Sequence, residues 1–219
     1  MRIGILGGTG PAGRGLAVRL AAVGDHVVLG SRDAERAAGV ATGLVEAWPD
    51  HRLDITGRSN EDCAAADLVV VATPWEGAVS TVRPLADALA GKVVVSMANA
   101  LVKEGREFLA LIPPRGSVAA TVQAVLPHSL VSASLHHLPA SEMEKLTTPL
   151  VADVLVCSDH SEATEATVAL VDRIDGLRAI DAGSLSQAAA VEAFTAELIT
   201  VNIRHKVHAA VPVAGFPDA

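Results

Sequence analysis

Short, almost uninterrupted apolar runs alternate with longer stretches of helical period along this chain. "RIGIL", "HVVLG", "DLVVVAT", "KVVVS", "LVSASL" and "DVLVCS" are five to seven residues long and rich in β-branched side chains, as strands buried on both faces are. Between them, Gly13 to Val23, Ala34 to Trp48 and Gly77 to Ala90 carry apolar residues at helical spacing. "DITG" adds a further short strand. Strand–helix alternation of this kind predicts βαβ units and a parallel, doubly wound sheet of Rossmann type.

The pattern changes after about Pro149. "DVLVCS" is followed by Asp159 with Glu162 three residues on, which predicts a helix start, then a helix to Ile174, a strand "LRAID" and a last helix from Ser186 to His205. Ser184 and Gln187 have capping-box spacing for that helix. Ala190, Val191, Phe194, Leu198 and Val201 share one of its faces, to be buried in the domain or in a subunit interface. The expected organisation is a Rossmann domain over residues 1–148 and a small C-terminal α/β lobe over 149–219.

Composition narrows the class. The chain has 219 residues, half of them apolar, with 2% aromatics and no Tyr, so its core must pack with aliphatic side chains. A net charge of -8 argues against a nucleic-acid surface, which needs basic stripes. Cys63 and Cys157 lack any CxxC partner and read as reduced, buried thiols. No apolar run reaches the ~18 residues of a membrane span. A soluble cytoplasmic protein is expected, without metal, membrane or nucleic acid among its partners.

The candidate chemistry begins at the first strand. Gly8-Thr9-Gly10-Pro11-Ala12-Gly13 is a GxGxxG sequence that leaves a strand and opens a helix, the context in which such a loop binds a dinucleotide. Gly8 is expected to make the tight turn, Gly10 to admit the pyrophosphate and Gly13 to let helix and strand pack closely. Free N–H groups at the helix start then face the anion. At the end of the second strand, an NAD-binding chain carries a carboxylate for the ribose. This chain has Ser31 and Arg32, with Arg36 a turn later. A hydroxyl and two guanidinium groups suit a 2′-phosphate, so the expected cofactor is NADP(H). Asp33 opposes that charge unless it caps the following helix.

Ligands of doubly wound sheets lie beyond the carboxyl ends of the strands. Thr73, Pro74 and Trp75 follow the fourth strand, Asn99 the fifth, and His136, His137, Leu138, Pro139 and Ala140 the sixth. Adjacent histidines on a strand face opposite ways and chelate one metal poorly. Each is either a core residue bonded to backbone or a group that handles a proton. No nucleophile elbow or Ser-His-Asp order accompanies them, so the chemistry is expected to need no protein acid.

These motifs together, "MRIGILGGTGPAGRGLAVRLA", "GSRDAER", "TPWE", "KVVVS", "VSASLHHLPA", "DVLVCSDH" and "RIDGLRAIDAGSLS", resemble the F420-dependent NADP oxidoreductases nearly end to end. The resemblance implies reversible hydride transfer between NADP(H) and the 5-deazaflavin coenzyme F420, as second substrate, in a homodimer. It places Thr9, Gly10, Pro11 and Ala12 on the pyrophosphate. Ser31, Arg32 and Arg36 fall on the 2′-phosphate, with Arg36 where the family pattern has lysine. Trp75, Val79 and Ala140 line the NADP channel, and Leu138 lies near the two rings. "MANALVKEG" replaces a Pro-rich loop of the family. Lys103, Arg106, Arg204 and Lys206 are the cations available to the anionic deazaflavin tail. Two other readings share the same Rossmann start: an NADPH-dependent flavin or imine reductase, and a non-catalytic NADPH-binding regulatory module.

Overall fold

The fold grows outward from one buried strand. In the computed structural model, which describes residues 1–216, β1 (Arg2–Leu6) is fully covered at Ile3, Ile5 and Leu6 and runs straight into the glycine loop and α1 (Pro11–Ala22). The final residues of the expected C-terminal lobe, 217–219, lie outside the described residues. β2 (His26–Ser31) and α2 (Ala34–Ala47) complete the first βαβ unit with β3 (Ile55–Ser59), followed by one turn of helix, α3 (Asn60–Cys63), and β4 (Leu68–Val71).

The helix expected over residues 77–90 is two helices. α4 (Trp75–Val82) stops before Pro84, a 3-10 turn carries the chain past it, and α5 (Ala86–Leu89) follows. Proline lacks the N–H that a continuous helix needs there. β5 (Val93–Ser96) is next, then a separate antiparallel hairpin of β6 (Leu101–Glu104) and β7 (Glu107–Ala110) that the strand pattern had not marked. α6 (Val118–Val125), β8 (Leu130–Ala133), the short α7 (Ala140–Met143), β9 (Ala152–Ser158), α8 (Ser161–Val171), β10 (Leu177–Asp181) and α9 (Ala188–His205) complete the described chain.

Eight of these strands form one sheet in the order β10-β9-β8-β5-β4-β1-β2-β3. It is parallel throughout, save that β8 meets β9 antiparallel through Ser132–Ser158 and Ala133–Cys157. The fold is therefore a mostly parallel, Rossmann-type α/β sheet. Two apolar layers cover it: Leu16, Leu20, Leu44 and Leu170 on one face, and Ala78, Val82, Leu89 and Val122 on the other. β1 lies between β2 and β4, and its loop therefore opens at the switch point where crossovers change direction.

Two expected caps differ. Asp159 does not cap α8; its carboxylate accepts from Leu185 N at 3.0 Å, and His160 holds the cap position. Ser184 bonds Ser186 rather than a backbone N–H. The inward face of α9 is also rotated from the apolar one. Ala188, Val191, Glu192, Thr195 and Ala196 are buried, while Phe194 is 44% exposed and Val201 39%. Glu192 explains the rotation: its carboxylate accepts the N–H groups of Val118 and Ala119 at 2.8 and 3.0 Å, at the start of α6. No described helix is long and apolar enough to cross a membrane.

Candidate active site

The glycine loop is shaped by close contacts that its sequence predicts only in part. Gly7 rather than Gly8 makes the tight turn, at φ +67°, a conformation that costs a side-chain-bearing residue energy. A Cβ on Gly8 would stand 2.6 Å from Leu29, and one on Gly13 would stand 2.6 Å from the Gly8 backbone. Gly13 thus permits the expected approach of helix to loop. A Cβ on Gly10 would meet nothing within 4 Å, because this residue borders open space.

That space is a cavity of about 610 Å³, bordered by Gly7, Thr9, Gly10, Ser31, Arg32 and Arg36 on one side and by Thr73 and Pro74 on the other. Asp33 caps α2, accepting from Arg36 N at 3.0 Å, and so turns its charge away from the cavity. Ser31 accepts from Asp33 N at 3.1 Å, which fixes the hydroxyl at the strand end. Neither Arg32 nor Arg36 has an ion-pair partner among the described residues. Asn60 was not legible as a site residue. It is 7% exposed, accepts from Gly7 N at 3.2 Å and borders the same cavity. Trp75 and Val79 do not border it; Trp75 packs on the core layer beneath α4.

A second cavity, about 620 Å³, opens on the other side of the loop at Ala12. The turn after β8 supplies His136, His137, Leu138, Pro139 and Ala140, and Asn99 enters from the end of β5. Thr195, Leu198, Ile199 and Ile203 of α9 form the facing wall, a contribution from far along the chain. Lys206 and His208 stand at its margin, whereas Arg106 and Arg204 border a separate hollow.

The two histidines have different fates. Leu135 turns the chain at φ +66°, so His136 and His137 leave the strand and both border the cavity instead of facing opposite ways. His137 shares a 2.7 Å bond with the Asp153 carbonyl, the core role. Burial holds its pKa below the usual histidine value. His136 is 4% exposed, and neither ring nitrogen makes a hydrogen bond of normal geometry. Burial and the neighbouring His137 lower its pKa to about 3, against a small opposing effect of the Met97 carbonyl. It is therefore neutral at physiological pH.

Arg19 secures this wall. Its buried guanidinium donates to the carbonyls of Glu142, Met143 and Thr148 at 2.9–3.0 Å, and also to that of Lys145. Gly15 lies against Met143, where a Cβ would approach to 2.6 Å. α1 and the segment following Ala140 are thereby bound together.

The site fits a nicotinamide dinucleotide phosphate. Gly10 leaves open space at the start of α1, and the hydroxyl of Ser31 and the guanidinium groups of Arg32 and Arg36, which have no ion-pair partner among the described residues, border the same cavity. A family model described as "NADP oxidoreductase coenzyme F420-dependent" matches residues 2–100. The F420-dependent NADP reductase of Methanocaldococcus jannaschii is 39% identical over 94% of each chain. The chain belongs to the F420-dependent NADP oxidoreductase family. The reductase of the same name from Methanothermobacter thermautotrophicus is 33% identical over 100% of this chain and 97% of its own. Among solved structures, one described as a candidate F420-dependent NADP reductase from Arthrobacter sp. FB24 superposes with a TM-score of 0.80. It has 26% identity and covers 95% of this chain and 96% of that one. In this family member two cavities thus flank one glycine loop.

Proposed function

We propose that this family member transfers a hydride reversibly between NADP(H) and the deazaflavin coenzyme F420. The observation that carries the reading is the pair of cavities sharing the glycine loop, one with a phosphate clamp and the other with a largely aliphatic wall. Thr9, Gly10, Pro11 and Ala12 bind the pyrophosphate, with Gly8 and Gly13 shaping the loop. Ser31, Arg32 and Arg36 hold the 2′-phosphate, and Thr73, Pro74 and Ala140 guide the nicotinamide half. Trp75 and Val79, expected to line the channel, stand back from the cavity and take no part in this reading. Bound there, the nicotinamide supplies or takes up the hydride at its ring carbon.

The protein's part is positioning. Hydride transfer needs reacting carbons held about 3–3.5 Å apart in a dry slot. Leu138, Pro139 and the α9 side chains keep water out, and neutral His136 lends no proton. Residues 1–148 hold NADP, while residues 149–219 contribute α9 as the far wall. The chain works as a homodimer through the apolar side chains left exposed on α9 and beside the hairpin, Phe194, Val201, Leu109, Leu111 and Ile112.

Mixing the purified protein with NADPH and oxidised deazaflavin tests the reading. Loss of the deazaflavin absorbance at a rate well above that with FMN or a cyclic imine is expected. Fast FMN or imine reduction with an unchanged deazaflavin spectrum would replace the reading with a flavin or imine reductase; no turnover with any acceptor would leave a regulatory module.

A further inference from the structure

Asn99 stands at the end of β5, where its side-chain NH₂ donates to the His136 carbonyl at 3.0 Å. A carbonyl can only accept, so this bond fixes which way round the amide sits. Oδ1 points away from the turn. It is buried and has no hydrogen-bond partner among the described residues, and Asn99 borders the second cavity together with Ala12 and Leu138. A buried acceptor left unpaired is unfavourable, and a ligand that supplies a donor relieves it. The same residue braces the left-handed turn at Leu135, since it grips the very next residue's carbonyl.

We infer that Asn99 Oδ1 selects the ring ligand by accepting a hydrogen bond from an amide N–H beside a carbonyl. The inference rests on the proposed hydride transfer for the identity of the rings. Two sources carry this group: the carboxamide of nicotinamide and the imide edge of the deazaflavin pyrimidine. An aliphatic wall alone discriminates poorly between shapes of similar size, whereas a buried polar atom rejects any analogue that leaves it unpaired. Asn99 lies in the "MANALVKEG" stretch that departs from the family pattern, so the preference belongs to this chain's own sequence.

Binding of four ligands to the intact protein tests this. NADPH is compared with its 3-acetylpyridine analogue, in which methyl replaces the amide NH₂, and the deazaflavin with its N3-methyl derivative. The wild type is expected to bind one capped ligand about 10- to 100-fold more weakly than its parent, and the ligand affected identifies the donor. Asn99→Leu and Asn99→Ala are expected to erase that difference. Equal binding of both capped ligands by the wild type would overturn the inference, and this comparison needs no variant. Full discrimination retained in a folded Asn99 variant would also overturn it. These measurements are of binding, so an absence of turnover with NADPH and deazaflavin would count against the proposed function alone.

Discussion

At the scale of single residues, the proposed 2′-phosphate clamp is three side chains at the end of β2 that border one cavity. Ser31 is held by the Asp33 backbone, Asp33 is turned aside as a cap, and Arg32 and Arg36 border the cavity with no ion-pair partner among the described residues, Glu61 being the one carboxylate that borders it with them. Arg32→Asp removes one charged donor and adds a repelling carboxylate. The KM for NADPH is expected to rise about 10- to 100-fold, with the KM for NADH nearly unchanged; steady-state kinetics with both cofactors checks it, and equal effects would dissociate Arg32 from the 2′-phosphate. The gathering of these three side chains on one cavity was legible, because residue type and spacing alone encode it. Asn60 was not. A polar residue beginning a four-residue helix has no signature, and its value comes from Gly7, fifty-three positions earlier in the chain and brought close by the β1–β2–β3 crossover. His136 and His137 were legible as a pair but not in their roles, since the positive φ at Leu135 decides where each ring points.

At the scale of elements, the loop and first helix separate two uses of glycine. Gly13→Ala would drive a methyl into the Gly8 backbone, so a loss of several degrees in melting temperature is expected. Gly10→Ala meets no protein atom; it should melt like the wild type yet bind NADPH at least tenfold more weakly. Thermal melts and cofactor titrations of both variants check the pair, and the reverse pattern would contradict the assigned roles. α9 is tied to α6 by Glu192, whose buried carboxyl has its pKa raised by desolvation to about 7 despite two N–H donors. The folded state holds that proton more tightly than the unfolded chain, where the value is about 4.5. Its contribution to stability is therefore complete below pH about 4.5 and lost as pH rises through about 7. Glu192→Gln cannot ionise, so melting temperature is expected to fall less between pH 5 and 8 than in the wild type. Helix α9 itself was readable from period, but not which face turns inward. Burial of Glu192 in place of Phe194 follows from the orphan donors of α6, a helix the strand-and-helix pattern had passed over. The hairpin escaped for a similar reason. Its four-residue strands leave side chains exposed on both faces, and packing against α9 holds them rather than any buried alternation.

At the scale of the whole molecule, alternation of strand and helix dictates the sheet from β3 to β8, because buried parallel strands need crossovers of just that length. The reversal at β9 was not readable. A strand covered on both faces is apolar in either direction, and the segment from Ser134 to Val151, with only the short α7 inside it, carries nothing that tells a reversal from a crossover. Assembly also belongs to this scale. The side chains of Phe194, Val201, Leu109, Leu111 and Ile112 are exposed on α9 and beside the hairpin packed on it. Phe194→Glu is expected to convert a dimer to a monomer in sedimentation velocity; a wild type that sediments as a monomer would dispose of the interface.

The four carbonyls gathered by Arg19 bear on traffic through the molecule. They make α1, the glycine loop and the Pro139–Thr148 segment one rigid jaw, with its own ion pair between Arg14 and Glu144. The opposing jaw, the C-terminal half of α9, is held by the hairpin at Thr200 and Arg204 and, just past its end, by His208, which meets Ser141 and Glu142. The two walls of the second cavity are thus held unequally, one by buried guanidinium bonds to backbone carbonyls and the other by partners that lie largely at the surface.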